Sequence, residues 1–246
     1  MTSTLLRTMP LLLVLGSAGC ASGDWQGDAQ RILDGMQQPA VSGALNDSEI
    51  VAGLREALAQ GTTRAINQLG HRDGFWGDAG VRIPLPEPLA RHERTLRQYG
   101  QGARLDAFQL TLNRAAEQAV PQVADILGSA VRQMSIADAR AILAGQPDAA
   151  TAYFRRVSGD SLRQKILPIV RGATAQAGVT QSYKQAIGQA APLLQLAGYQ
   201  APDLDAFVTQ KALDGLFTTI AAEEARIRAN PAARGTELLR RVFGSR

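Results

Sequence analysis

Asn113 and Glu117 lie one turn apart in a stretch, residues 106–134, that is otherwise strongly apolar on two sides. Phe108, Leu112, Ala115, Ala119, Val123, Ile126, Ala130 and Met134 recur at the helical period and form one apolar stripe. Leu110, Val120, Ala124, Gly128 and Val131 form a second, smaller arc, and Asn113 and Glu117 fall inside it. A carboxylate in apolar surroundings is costly unless paired, so it either holds a partner or tends to hold a proton. Glu224 poses the same question near the other end of the chain. It falls within the arc of Leu213, Leu216, Phe217, Ile220 and Ile227, with Glu223 at the edge. Arg228 follows Glu224 by one turn, the favourable order for an ion pair. Two carboxylates suffice for hydrolysis by acid–base chemistry, so Glu117 with Glu223 or Glu224 is the catalytic pair on offer. The plainer reading is that these groups set helix register. On either reading Glu117 is expected to take a basic or hydrogen-bonding partner from another helix, with Arg155, Arg156, Lys211 and Arg228 as candidates. The candidate polar cluster is Asn113, Arg114, Glu117, Tyr153, Arg155, Lys211, Glu224 and Arg228.

Other chemistries find less support. The sole cysteine, Cys20, lies far from the folded part of the chain, so that part has no thiol nucleophile. His71 and His92 are the only histidines, and neither has a triad-like context. No Glu-x-x-His pair offers a carboxylate-bridged metal centre, and there is no glycine-rich phosphate loop. His71, Asp73 and Asp78 match no metal-ligand motif. No catalytic residue, metal site or cofactor is assigned.

The elements that position these residues are helices. The chain has 246 residues, 45% hydrophobic and 20% charged, with only 5% aromatic residues. Abundant alanine with few aromatics favours closely packed helices over a sheet. The expected fold is all-α, a single domain of about eight to ten helices over residues 48–246. Its first helix begins at Asn46 and Glu49, which have capping-box spacing, and runs to about Leu69. Residues 70–88, rich in glycine and proline, break the helical rhythm. Phe75 and Trp76 are expected to plug this loop onto the helices, and Val81-Arg82-Ile83-Pro84-Leu85 reads as extended, with room for one short pairing. Helices follow over 87–100 and from 106, the latter kinked or broken at Pro121. Ser135 caps the next helix, which ends at Gly145. Separate helices are expected over 148–157, 161–176 (bent at Pro168) and 183–197. The series ends with a long helix over 205–230 and a half-helix over 236–243.

The N-terminus reads as an export signal. Arg7 precedes the apolar run 9–15, and Gly16-Ser17-Ala18-Gly19 is a small-residue cleavage region before Cys20. The run is far shorter than the ~20 residues that span a bilayer. Residues 15–20 resemble a bacterial lipoprotein signal, with Ser17 where leucine is usual. On that resemblance residues 1–19 are removed and Cys20 is lipidated. Ala21, which is not aspartate, implies the periplasmic side of the outer membrane. An ordinary secretory signal leaves the protein soluble in the periplasm. Residues 20–47, rich in Gly, Ser, Asp and Gln, form a flexible tether. The formal net charge of +4 comes almost entirely from arginine, since lysine occurs only at 165, 184 and 211. So mild a charge suits an anionic envelope surface better than nucleic acid, which is not expected as a partner.

Several segments carry a resemblance. Val81-Arg82-Ile83-Pro84-Leu85-Pro86-Glu87, the run from Leu112 to Val120, Met134 to Arg140, Ala149 to Arg155, Tyr183, Val208 to Phe217, and 220–231 stand in one order. Together they resemble the bacterial domain-of-unknown-function family 4197 over roughly residues 51–244. Leu112 stands where methionine is expected, a volume-conserving exchange. The resemblance implies an exported, mainly helical protein and supplies no reaction or site residues. Three roles follow. The first is a lipid-anchored, non-catalytic binding or scaffold module of the envelope, with the membrane and an envelope protein as partners. The second is a carrier holding a lipid-like ligand between helices, and the third is a carboxylate-dependent hydrolase.

Overall fold

The computed structural model describes residues 46–178, 180–185, 188, 203–230, 240 and 242. The chain divides after Ala44, and the fold is that of the unit from Leu45 onward. The export signal, Cys20, the tether and most of the expected helices over 183–197 and 236–243 lie outside the described residues.

Among the described residues the fold is all-helical, with no strand. Its helices are α1 (Asp47–Gly70), α2 (Glu87–Ala90), α3 (Glu93–Gln98), α4 (Gly102–Ala119), α5 (Ala124–Gln133), α6 (Ile136–Ala144), α7 (Ala149–Gln176) and α8 (Leu204–Ala229). A 3-10 turn, Val120–Val123, joins α4 to α5. None of these helices is long and apolar enough to cross a membrane.

Local signals set several boundaries. The Asn46 side chain accepts from the Glu49 amide and the Glu49 carboxylate accepts from the Asn46 amide, closing the capping box of α1. Ser135 and Asp138 close a second box at α6. Pro121 has no amide hydrogen to bond the Glu117 carbonyl, and the chain passes through 3-10 geometry there before resuming as α5.

Two expectations are corrected. The helix expected over 87–100 is two short ones, separated at His92, whose φ of −106° and ψ of 7° leave the helical region. The two helices expected over 148–176 are one, α7, of 28 residues, running unbroken through Gly159 and Pro168. Its inward residues Ala150, Phe154, Ser158, Leu162, Ile166, Val170 and Thr174 are spaced by four. At 3.6 residues per turn such a stripe rotates by about 40° per step. It therefore reads poorly as one amphipathic face, although burial along it holds the helix together.

The most extensive packing is between α7 and α8, and α4 lies against both. The core is built largely of leucine, alanine and β-branched residues, with Leu112, Ala116, Ala119, Val120 and Val208 fully buried. Small side chains let α4 and α8 approach their neighbours closely and leave little interior space.

Candidate functional site

The loop 71–86 crosses α4 and presents backbone groups that no sheet or helix pairs. Phe75 and Ile83 are fully buried under it. Glu117, 4% exposed, resolves half of this problem. One carboxylate oxygen accepts from the successive amides of Phe75 and Trp76, both at 3.1 Å. The other oxygen accepts from Arg114 at 2.6 Å. Arg114 reaches on to Asp73 at 2.7 Å. Asp73 sits at φ 68°, a left-handed conformation that aspartate tolerates better than most residues. Gly74 follows because an added Cβ would lie 2.5 Å from the carbonyl oxygens of Gln68 and Leu69. The Glu117 carboxylate, and then Asp73, hold the Arg114 proton more tightly than usual.

Asn113, fully buried one turn earlier, serves Ile83 as a neighbouring strand would. Its side-chain oxygen accepts from the Ile83 amide at 2.8 Å and its nitrogen donates to the Ile83 carbonyl at 3.1 Å. Gln109 donates to the same carbonyl. This side-chain pairing takes the place of the short pairing expected near Val81 to Ile83.

Glu224 forms a separate group. It is 6% exposed and accepts from the Ala150 and Thr151 amides at 3.0 and 3.1 Å, and from the Thr151 hydroxyl. Those amides open α7, whose N-cap residue Asp148 makes no capping bond of its own. A carboxylate there satisfies orphan donors and meets the positive end of the helix. Arg228 pairs with Glu224 at 2.8 Å and donates to the Ile142 carbonyl, near the end of α6.

The expected cluster of eight is thus not one cluster. Asn113, Arg114 and Glu117 come together, and so do Glu224 and Arg228. The partners of Glu117 are the loop amides and Arg114 on its own helix, which corrects the expectation of a donor from another helix. Tyr153 bonds the Ala130 carbonyl instead. Arg155 lies over the Phe217 ring and 3.9 Å from Asp214. Arg156 pairs with Asp138. Lys211, half-buried on α8, belongs to neither group. Glu223 pairs with Arg64 and Arg226, so the three glutamates have different partners.

One polar group escaped sequence reasoning. Asp205, 7% exposed, accepts from Thr174 at 2.6 Å and pairs with Lys184 at 2.8 Å. Asp203 does the capping of α8, accepting from the Asp205 and Ala206 amides. The signal was the Asp203-Leu204-Asp205 repeat, since one helix start needs only one capping aspartate.

Open space beside Glu224 is modest. The gap beside Glu224, bounded by Leu54, Ala150 and Ile227, holds about 10 Å³, room for a single water. Larger clefts lie at the surface. One of about 470 Å³ runs between α5 and α7, and one of about 430 Å³ between α6 and α7.

The family described as "Protein of unknown function (DUF4197)" matches residues 44–244. The chain belongs to this family. The match begins just before the α1 cap and so takes in the whole described fold, including both glutamate groups. No curated protein and no solved structure is similar to the chain.

Proposed function

We propose that this DUF4197 member is an exported protein, anchored by lipid on Cys20 at the periplasmic side of the outer membrane. There it acts as a non-catalytic binding or scaffold module. The observation that carries the non-catalytic reading is the saturation of both buried glutamates. Glu117 receives two amides and a guanidinium, and Glu224 receives two amides, a hydroxyl and a guanidinium. A general base needs a lone pair aimed at substrate, and these carboxylates are engaged by the protein's own amides, guanidiniums and hydroxyl. The anchor rests on the placement of Cys20 after its apolar run.

Native mass spectrometry of the chain extracted from membranes in mild detergent tests both parts. The expected species carries an acylated Cys20 as its first residue and no tightly held ligand. An unmodified N-terminus at Gly19 or Ser22 removes the anchor. A stoichiometric non-covalent lipid replaces the scaffold reading with that of a carrier.

A further inference from the structure

Three large apolar side chains stand out on the described surface: Tyr99 at 78% exposure, Ile136 at 50% and Val157 at 41%. They divide between two surfaces of opposite charge.

The first surface is a knob formed by α2, α3 and the turn after them. No residue of α2 or α3 is buried. The turn closes through Gly100, at φ 78°, with the Gln101 amide donating to the Leu96 carbonyl, and it leaves Tyr99 projecting. The acidic residues here are already used: Glu87 pairs with Arg91, and Glu93 and Asp106 both pair with Arg97. Arg94 and Arg104 are exposed and meet no carboxylate among the described residues, Arg104 touching only the Gln101 side chain. The knob therefore offers one tyrosine and two free guanidiniums.

The second surface is a trough. The two surface clefts share Asp138 and Tyr153 and so adjoin along the first turns of α7. From Ala149 to Ser161 that face is about 18 Å long. Its floor is apolar toward α6, at Ala141, Ile142 and Ala152, and mixed toward α5, where Ser129, Gln133 and Ser158 stand beside Ile126 and Val157; Ile136 opens α6 two residues before Asp138. Three carboxylates, Asp125, Asp138 and Asp148, line it against one guanidinium, Arg156. Asp138 is taken by Arg156. Asp125 and Asp148 are exposed and meet no cation among the described residues. On a chain of formal charge +4, this is an acidic trough.

We propose that the occupant of the trough is the knob of a second copy of this chain. Tyr99 lies on the floor beside Val157 and Ile126, and Arg94 and Arg104 meet Asp125 and Asp148. Tyrosine and arginine anchors over a partly apolar floor with a charged rim are the usual chemistry of a protein interface. Two free cations meet two free anions, so the contact steers association and specifies its partner. The two surfaces differ, so the contact is head-to-tail, and each bound copy presents a fresh knob and a fresh trough. The protein assembles into open chains or a ring. This goes beyond the role proposed above, because the contact is between folded domains and needs no lipid.

The test is sedimentation of the full chain carrying Cys20→Ser, at rising concentration. The expected average mass climbs above the 26.2 kDa of one chain, and less steeply in high salt. Two charge reversals at exposed positions separate the surfaces: Arg94→Glu with Arg104→Glu on the knob, and Asp125→Arg with Asp148→Arg in the trough. Each variant alone stays at the mass of one chain. Mixed in equal amounts they grow again as alternating copies, since each knob then faces a trough of opposite charge on the other variant. All four reversals in one chain restore growth, which also shows that the reversals leave the fold intact. A parent chain that stays monomeric at every concentration overturns the proposal. So does a variant that assembles as the parent does, or a mixture that remains at one chain's mass.

Discussion

Replacing Glu117 in two different ways separates what its charge does from what its oxygens do. Glu117→Gln keeps one oxygen for the Phe75 and Trp76 amides, now 3.1 Å away, but turns an N–H toward Arg114, which currently donates at 2.6 Å. The loss is one hydrogen bond to a charged group in a half-buried site, about 1–3 kcal/mol. Glu117→Ala removes the acceptor of both amides as well. Each buried, unsatisfied donor costs about 1–3 kcal/mol, so the alanine variant should lose about 3–5 kcal/mol. For a domain of this size each kcal/mol moves the melting temperature by about 2–4 °C. Thermal unfolding followed by circular dichroism should rank the parent above the glutamine variant, and that above alanine. Fluorescence, with Trp76 inside the loop, should report loosening of the loop before global unfolding in the alanine variant. Equal melting of the alanine and glutamine variants would mean that the amides are not what Glu117 holds. A glutamine variant as stable as the parent that no longer binds extracted envelope lipids would restore the carrier reading.

Three further outcomes are expected. Asn113→Ala leaves the Ile83 amide without an acceptor and its carbonyl with Gln109 alone, and should cost about 2–4 kcal/mol in urea unfolding. Gly215→Ala places a Cβ 2.7 Å from the Phe75 ring, whose residue is fully buried; overpacking of about 1–3 kcal/mol should appear as a lower melting temperature, and no change would mean that the ring yields freely. Ser135 holds the Asp138 carboxyl below its ordinary value near 3.8 through side-chain and backbone hydrogen bonds, with Arg156 adding to them. Because the folded value is the lower one, this stabilisation is complete above the ordinary value and is lost as pH falls through the folded value. Urea midpoints measured over the acid range should therefore fall in the parent. Ser135→Ala, at a cost of about 1 kcal/mol for the lost cap, should weaken that acid dependence without abolishing it, because the residue-135 amide and Arg156 still hold Asp138.

What was legible in the sequence was local. The boxes at Asn46–Glu49 and Ser135–Asp138 need only four residues each, and the break at Pro121 needs only a missing amide hydrogen. The burial of Asn113 and Glu117 followed from the arc they share with Leu110 and Val120. The partners of Glu117 were not legible, because they are backbone amides. Every residue type carries an amide, so no side chain in 71–86 marks Phe75 and Trp76 as the ones to be held. Reasoning from side-chain charge therefore looked to Arg155, Lys211 and Arg228. Arg114 was in view but belonged to the polar side of α4, and its reach around the helix depends on where Asp73 lies. The unbroken α7 was missed for a different reason. A stripe spaced by four is followed by the surrounding helices as it turns, and a single-face criterion cannot follow it.

The two glutamate groups use the same device. In each, a glutamate on a central helix accepts from two successive amides of a segment that lacks its own acceptors. An arginine within one turn of it on the same helix neutralises the carboxylate and reaches further: Arg114 to Asp73 in the same loop, Arg228 to the Ile142 carbonyl on a third segment. The carboxylate is thus buried without being left unpaired, which is the condition under which its charge is tolerated. On α4 the device docks a loop, and on α8 it starts one helix and ties off another. Both groups lie inside the stretch that defines the family, residues 44–244. Most of the polar residues that looked available for chemistry in the sequence, Arg114, Glu117, Glu224 and Arg228 among them, are the means by which an alanine-rich bundle fixes its irregular backbone. Among the described residues, unspent apolar area and unpaired charge lie instead at the surface, at Tyr99 and along the trough on α7.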